Sequence, residues 1–118
     1  MERPIGLTKD VGWQFGIRRT IPSSKEKVWD FMFSHVGEQI WMQHVEKEFT
    51  TFKPYSHIRT KWRLPGWDNN ATIQLRIMGN ENKATIAFHV ERLLSKEQRV
   101  QTSEYLSKVM DNLILKLK

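Results

Sequence analysis

Residues 18–31 constrain the fold most, because they pass from a strand into a helix within a few positions. The sequence there is RRTIPSSKEKVWDF. Pro22 has no backbone N–H and therefore ends the preceding strand. Ser23 and Glu26 have the spacing of a capping box, in which each side chain satisfies a free backbone N–H at the helix start. Apolar residues then recur three and four positions apart, as on a core-facing helix: Val28, Phe31 and Met32.

Alternation of apolar and polar residues predicts five strands around and after this helix, which itself covers residues 25–34. The first strand covers residues 13–21, and the second covers residues 45–52, where the pattern is too mixed to show which face is buried. The other three, at residues 57–64, 71–77 and 84–90, alternate cleanly. Short segments rich in turn residues separate them, as in antiparallel hairpins. Because their opposite faces are polar, we expect an antiparallel sheet that is covered on one side only.

Two further helices are predicted. A short one covers residues 36–43, and a long one, opened by a second capping box of Ser95 and Gln98, closes the chain. The long helix carries one apolar stripe, formed by Leu106, Val109, Met110, Leu113, Ile114 and Leu117. The same face nearer the helix start carries polar residues, namely Arg99, Thr102 and Ser103. These either overhang the sheet into water, which we favour, or line a partly polar pocket.

Length and composition exclude several classes of protein. A chain of 118 residues is predicted to form one domain, which buries roughly two-thirds of its unfolded surface. Without cysteine there are no disulfides, thiolate metal sites or cysteine nucleophiles. Uninterrupted apolar runs reach only three residues, and the first residues lack an apolar signal core. We therefore expect a soluble, cytoplasmic protein.

The order of these elements is that of the START-like (Bet v-type) helix-grip fold, and parts of the sequence resemble a family with that fold. Residues 17–29, IRRTIPSSKEKVW, resemble the opening of START-like SRPBCC proteins. They look closest to the AHSA type, which is similar to the C-terminal domain of the activator of the ninety-kilodalton heat-shock chaperone's ATPase. Ile40-Trp41-Met42 resembles the end of that family's second helix, and residues 83–93 resemble its last strand.

The resemblance covers residues 13–117 and implies a fold and a domain organisation. The fold is α+β, with a curved antiparallel sheet wrapped around a long C-terminal helix and two short helices after the first strand. Residues 13–118 are then a single START-like domain, preceded by a loose lead-in of residues 1–12. The chain departs from the family at Tyr105-Leu106, where members often have a Gly-Trp step.

Together with the apolar positions of the strands and the last helix, the resemblance predicts a domain that binds a small hydrophobic ligand, or a partner, with a cavity between the sheet and the last helix. The expected lining is Trp41 and Met42 near a mouth, then Trp62, Ile73, Leu75, Ile86, Phe88, Leu106, Met110 and Leu113, with Arg99, Thr102 and Ser103 as polar groups. An apolar ligand would lie between Trp62, Phe88 and Met110, with Arg99 favouring a carboxylate. Alternatively, side chains fill the same space.

Motifs for catalysis or for cofactor binding are missing from the sequence. It has no Gly-rich phosphate loop, no Gly-x-Ser-x-Gly elbow and no His-Glu-x-x-His. The four histidines are scattered, and the cluster of His44, Glu46 and Glu48 is better explained by solvated edge residues than by a metal site. We therefore predict no cofactor, no metal and no intrinsic activity. A cyclase or hydrolase, which this superfamily also includes, would need an inward carboxylate or histidine.

Basic residues suggest another function. The net charge is +6, and the polar face of the strand at residues 57–64 is basic, as is one position on the next strand. The residues are His57, Arg59, Lys61, Arg63 and Arg76. Such a face would suit an adaptor that binds an acidic protein partner, such as a chaperone. The other interpretation is a solvated face that prevents aggregation. Nucleic acid is not expected, because the tryptophans that could stack on bases lie mainly at core positions.

Overall fold

The computed structural model describes residues 7–8 and 12–117, and for residues 7–8 it describes only the backbone. These residues form six strands and three helices. The strands are β1 (Leu7–Thr8), β2 (Gly12–Ile21), β3 (Thr51–Lys53), β4 (His57–Trp62), β5 (Ala71–Gly79) and β6 (Ala84–Leu93). The helices are α1 (Lys25–Met32), α2 (His35–Trp41) and α3 (Lys96–Leu117).

The six strands form one antiparallel sheet in the order β1-β2-β6-β5-β4-β3. Phe88 at the centre of β6 lies opposite Ile17 on β2 and Leu75 on β5, so apolar side chains share one face across the three longest strands. That face is buried against α3, which contacts β2 and β6, and against α1, which contacts β5 and β6, while the other face is polar. The predicted α+β helix-grip fold, a curved sheet around a long C-terminal helix, is confirmed.

Alternation decides which side chains enter the core. On β4, β5 and β6 every second residue is buried, as the sequence pattern predicts. The residues that follow this alternation are Ile58, Thr60, Trp62, Ala71, Ile73, Leu75, Ile77, Ala84, Ile86, Phe88 and Val90. At the end of β6, beyond the alternation, Glu91 and Leu93 are also buried. On α3 the residues that cover them are Leu106, Val109, Met110 and Leu113, while Ile114 and Leu117 are half-buried.

The start of α1 differs from the predicted capping box by one residue. Ser24, in extended conformation, is the N-cap, and its hydroxyl accepts a hydrogen bond from the Lys27 N–H at 3.1 Å. Ser23 instead donates its backbone N–H to the Ile21 carbonyl, in the turn that leaves β2. Because the third helical position is then Lys27, no acid is placed to return the bond, and Glu26 contributes only its charge near the helix start.

A serine also separates α1 from α2. Ser34 is the N-cap of α2, with its hydroxyl accepting from the Gly37 N–H at 3.2 Å, so α1 ends at Met32 rather than at the predicted residue 34. The indole of Trp41, at the end of α2, donates to the Met32 carbonyl at 2.6 Å. This buried bond joins the ends of the two helices.

The predicted strand of residues 45–52 is only partly a strand. Val45 forms an isolated bridge with Trp62, and β3 covers Thr51–Lys53. Between them, the hydroxyl of Thr60 donates to the carbonyls of Glu46 and Glu48, at 2.9 and 3.3 Å. A side chain thus replaces part of the backbone ladder, which explains why the sequence shows no clear alternation there.

The first turns of α3 pack on the protein rather than overhang it, so the interpretation that we favoured from sequence is wrong. Thr102 is fully buried, and Arg99 is half-buried against β2. The predicted cap is present: the Gln98 N–H donates to the Ser95 hydroxyl at 3.1 Å. The Gln98 side chain accepts from the Leu94 N–H at 2.9 Å, one residue before the position that a capping box uses.

The predicted lead-in of residues 1–12 lies mostly outside the described residues. Within it, Leu7 and Thr8 form β1, paired with Trp13 and Gly12, so this part is a strand rather than loose chain. Among residues 7–8 and 12–117, no helix is at once long enough and apolar enough to cross a membrane.

Candidate functional site

The structure brings the predicted cavity residues together in the hydrophobic core. Nine of the predicted residues are apolar and expose no more than 1% of their surface: Trp41, Trp62, Ile73, Leu75, Ile86, Phe88, Leu106, Met110 and Leu113. Three others, Met42, Arg99 and Ser103, are half-buried around them. Met42 lines a surface groove of about 490 Å³ beside α2, together with His35, Glu38, Gln39, Gln43, Lys47 and Phe49.

One polar atom in this core is unpaired. Among the buried side-chain nitrogen and oxygen atoms of the described residues, Trp62 Nε1 alone has no hydrogen-bond partner. Trp62 is 1% exposed, so bulk solvent does not reach its side chain. Leaving such a donor unpaired costs about 1–3 kcal/mol, and native proteins seldom do so without a reason.

The neighbouring buried hydroxyls are satisfied. The Thr102 hydroxyl donates to the Gln98 carbonyl on its own helix at 2.7 Å. The Thr60 hydroxyl, two positions before Trp62 on the same face of β4, is held by the two carbonyls described above. The unpaired indole is thus an exception in a region where the other polar groups have partners.

Two aromatic rings that the sequence analysis did not assign to the site pack against this indole, and a third ring packs behind one of them. The Trp67 ring meets Trp62 edge-to-face, with centroids 5.7 Å apart, and the Tyr105 ring lies 6.1 Å from it. His44 packs on Tyr105 at 5.1 Å. Burial raises the pKa of Tyr105, so its hydroxyl stays protonated at neutral pH. The sequence contained one signal for this aromatic cluster, namely Trp67, a large apolar residue in a turn-rich segment directly after Pro65-Gly66.

Arg99 lies beside β2 at the end of the sheet where β4 ends and α3 begins. Its Nε donates to the Gln14 carbonyl at 2.8 Å, and its guanidinium carbon lies 5.6 Å from the centre of the Phe15 ring. Since β2 and β6 pair through Phe15 and Val90, this is the same end of the sheet as Trp62. The arrangement places a positive charge at the margin of the core.

Only some of the predicted basic residues lie on one surface. His57, Arg59 and Lys61 lie on the outer face of β4, with Arg76 of β5 directly opposite His57. Arg63 lies beyond the end of β4, and Arg59 forms an ion pair with Glu91 of β6. This pair reaches across β5, and it offsets one of the charges that the sequence assigns to the face.

The remaining charges on this face affect each other. The pKa of His57 is lowered, first by the loss of solvation and then by the positive charges of Arg76 and Lys53. With its amide oxygen turned towards Arg76, Gln74 accepts two hydrogen bonds from that guanidinium, at 3.1 and 3.3 Å. His57 is therefore mainly neutral at pH 7, and the positive charge of this face comes from lysine and arginine.

Elsewhere the titratable groups are dispersed. Within the part of the chain that the structure describes, no three His, Asp or Glu side chains converge as a metal ion needs. Glu46 and Glu48 are exposed, whereas His44 packs on Tyr105, so these three do not share a face. His89 lies on the outer face of β6, at 2.8 Å from the Gln14 side chain.

Solved structures show which fold this arrangement has. CalU16 from Micromonospora echinospora superposes with a TM-score of 0.72 over 86% of this chain and 73% of its own, at 12% identity. An HSP90 activator from Plasmodium falciparum superposes with a TM-score of 0.69 over 90% and 96%, at 12% identity. The chain has the helix-grip fold of these proteins.

A third structure is that of an AHSA1-like protein from Rhizobium etli. It superposes with a TM-score of 0.63 over 91% of this chain and 84% of its own, at 15% identity. No protein-family model and no curated protein matches the sequence. The likeness to AHSA1-like proteins that the sequence predicts is thus confirmed at the level of the fold.

Proposed function

We propose that this chain is a small-molecule-binding domain whose ligand enters the core beside Trp62, between the sheet and α3. The unpaired Trp62 Nε1 carries the proposal. A phenylalanine at this position would provide a similar apolar ring without the cost of an unsatisfied donor. A ligand with a hydrogen-bond acceptor supplies the partner that the protein itself does not, and it gives the indole nitrogen a role.

The surroundings indicate the chemistry of this ligand. The core residues around Trp62 are apolar or aromatic, so most of the ligand is apolar. A single acceptor, such as a carbonyl oxygen or one oxygen of a carboxylate, pairs with the indole N–H. Arg99 at the margin of the core favours the carboxylate, because an anion near a guanidinium gains a charge-assisted interaction.

Three naphthalenes that differ only in the acceptor test this proposal: naphthalene, 2-acetylnaphthalene and 2-naphthoate. We expect the two acceptor-bearing compounds to bind wild type about tenfold more tightly than naphthalene, since one buried hydrogen bond contributes about 1 kcal/mol or more. In Trp62→Phe this preference is lost while naphthalene still binds. Isothermal titration calorimetry measures the three affinities.

Trp41→Phe is the matched control. Trp41 belongs to the same core, but its indole N–H is already bonded to the Met32 carbonyl, so this variant loses stability and keeps the preference for acceptors. Trp62→Phe removes the same ring volume from the core but breaks no hydrogen bond, so we expect it to lose less stability than Trp41→Phe. Arg63→Glu, on the exposed segment after β4, leaves all three affinities unchanged. Equal affinities of the three compounds for wild type would rule out the proposed acceptor site.

We propose, as a second candidate, that the chain binds an acidic protein partner through the outer sheet face. The strand pairing supports this, because it places Lys53 and Arg76 directly on either side of His57, and two neighbouring cations create a positive potential there. The HSP90 activator among the similar structures is a protein named for its action on another protein, which is compatible with an interaction domain.

Poly-L-glutamate is a suitable acidic probe for this second function. We expect wild type to bind it at low salt and Arg76→Glu to bind it at least fivefold more weakly, because reversal removes one positive charge and adds a negative one. Lys108→Glu on the exposed face of α3 has the same change in net charge and serves as the control. Equal weakening in both variants, measured by fluorescence anisotropy of labelled polymer, would mean that net charge alone is responsible.

A further inference from the structure

The loop between β4 and β5 covers the end of the core at which the unpaired indole lies. Trp67, in the middle of this loop, sets its ring edge-to-face against Trp62, with an interplanar angle of 86°. Trp67 is half-buried, whereas Trp62 beneath it is only 1% exposed. Displacing Trp67 is therefore a direct way to expose Trp62.

Side-chain amides hold this loop to α3. The Trp67 indole donates to the Gln101 side-chain oxygen at 2.7 Å. Asn69 and Gln98 exchange two hydrogen bonds through their amides, at 2.7 and 3.2 Å. We call these four residues the amide latch. All three bonds join the loop to the first turns of the helix, and they lie at or near the surface, where water competes for the same groups.

The loop can move without breaking the sheet. Its backbone bond from the Trp67 N–H to the Leu64 carbonyl closes a turn within the loop itself. Gly66, directly before Trp67, has a φ of +91°, and an added Cβ would meet no atom within 4 Å. A glycine with this φ and open space around it accommodates the change in backbone angles that a hinge requires.

We infer that residues 65–69 form a lid, that Trp67 closes the entrance to the site at Trp62, and that release of the amide latch admits the ligand. The inference rests on the proposed ligand site and adds its entrance and the element that controls access. It also defines the ligand further, because a compound that reaches Trp62 by this path is small and flat enough to pass Trp67.

Hydrogen exchange of the indole N–H groups tests the lid without any ligand. The double variant Asn69→Ala/Gln101→Leu removes a partner from each half of the amide latch. We expect exchange of the Trp62 indole N–H to become about tenfold faster, because the lid opens more often, while the Trp41 indole N–H is unaffected. Two-dimensional NMR resolves these signals. Gln39→Leu on α2, which removes the exposed side-chain contact with His35, is the matched control.

Two results of this exchange experiment would refute the proposed lid. If both indoles exchange faster by the same factor, the variant has loosened the whole protein. If neither changes, the latch does not control access to Trp62. Either result leaves the proposed ligand site to be judged by its own titrations, since this measurement needs no ligand.

Binding kinetics then connect the lid to the ligand. With 2-acetylnaphthalene as the probe, the latch variant should associate and dissociate several-fold faster than wild type, with a smaller change in affinity. Stopped-flow quenching of tryptophan fluorescence measures both rates. If rates change instead in a Met42→Trp variant, which narrows the groove beside α2, the entrance lies there and the lid is wrong.

Discussion

Gly37→Ala is expected to destabilise the protein by about 3 kcal/mol or more, at or beyond the usual upper limit for an overpacked site. Gly37 lies in the first turn of α2, where the helix touches the end of α1. A Cβ at this position would lie 2.0 Å from the Phe31 carbonyl oxygen and 3.0 Å from the Met32 Cα. Both contacts are with backbone, so no side chain can move aside, and the two helices have to separate.

Separation of the helices has a second consequence. The buried bond from the Trp41 indole to the Met32 carbonyl spans the same junction, and it is lost when the helices move apart. Chemical denaturation gives the free energy of unfolding for wild type and variant. Gly16→Ala is the matched control, because a Cβ there meets its nearest side chain, His89, at an ordinary 3.7 Å. A loss below about 1 kcal/mol for Gly37→Ala would show that the helices pack differently.

Much of the fold could be predicted because its strands are covered on one face only. Alternation in β5 and β6 identifies the buried positions directly, and the apolar stripe of α3 identifies the element that covers them. Where a side chain replaces backbone pairing, the pattern fails. In the segment before β3, the Thr60 hydroxyl binds the Glu46 and Glu48 carbonyls. The sequence of residues 45–52 has no periodicity from which this contact could be predicted.

Helix boundaries were less predictable for a related reason. Two serines precede α1, and both have the chemistry of an N-cap. The turn that leaves β2 uses the Ser23 N–H, and this decides in favour of Ser24. Such a choice depends on where the preceding strand ends in space, which the local sequence does not contain.

The candidate site could likewise be predicted only in part. Periodicity places Trp62 in the core, but it cannot show that the indole nitrogen lacks a partner, because that depends on every neighbouring element. Three of the four residues of the amide latch, Asn69, Gln98 and Gln101, are polar and lie in a loop and on a helix surface, where sequence patterns predict only exposure. Only the packing of the β4–β5 loop on α3 brings Trp67 over Trp62.

Leu113→Ala is expected to cost about 2–5 kcal/mol of stability, the range for a large buried aliphatic residue that leaves a cavity. Leu113 is fully buried on the α3 stripe that covers the sheet. Alanine is at least as favourable in a helix as leucine, so the loss reports burial and packing and not helix formation. The free energy of unfolding from urea or guanidinium titration measures it.

Leu115 on the same helix provides the control for this prediction. It is 70% exposed, two residues further along α3, and Leu115→Ala makes the same chemical change without opening a cavity. We expect that variant to stay within about 0.5 kcal/mol of wild type, as surface substitutions usually do. Equal losses in the two variants would mean that α3 does not present the Leu113 face to the sheet. The proposed ligand site beside Trp62 would then be refuted as well, because it lies between the sheet and α3 and depends on their contact.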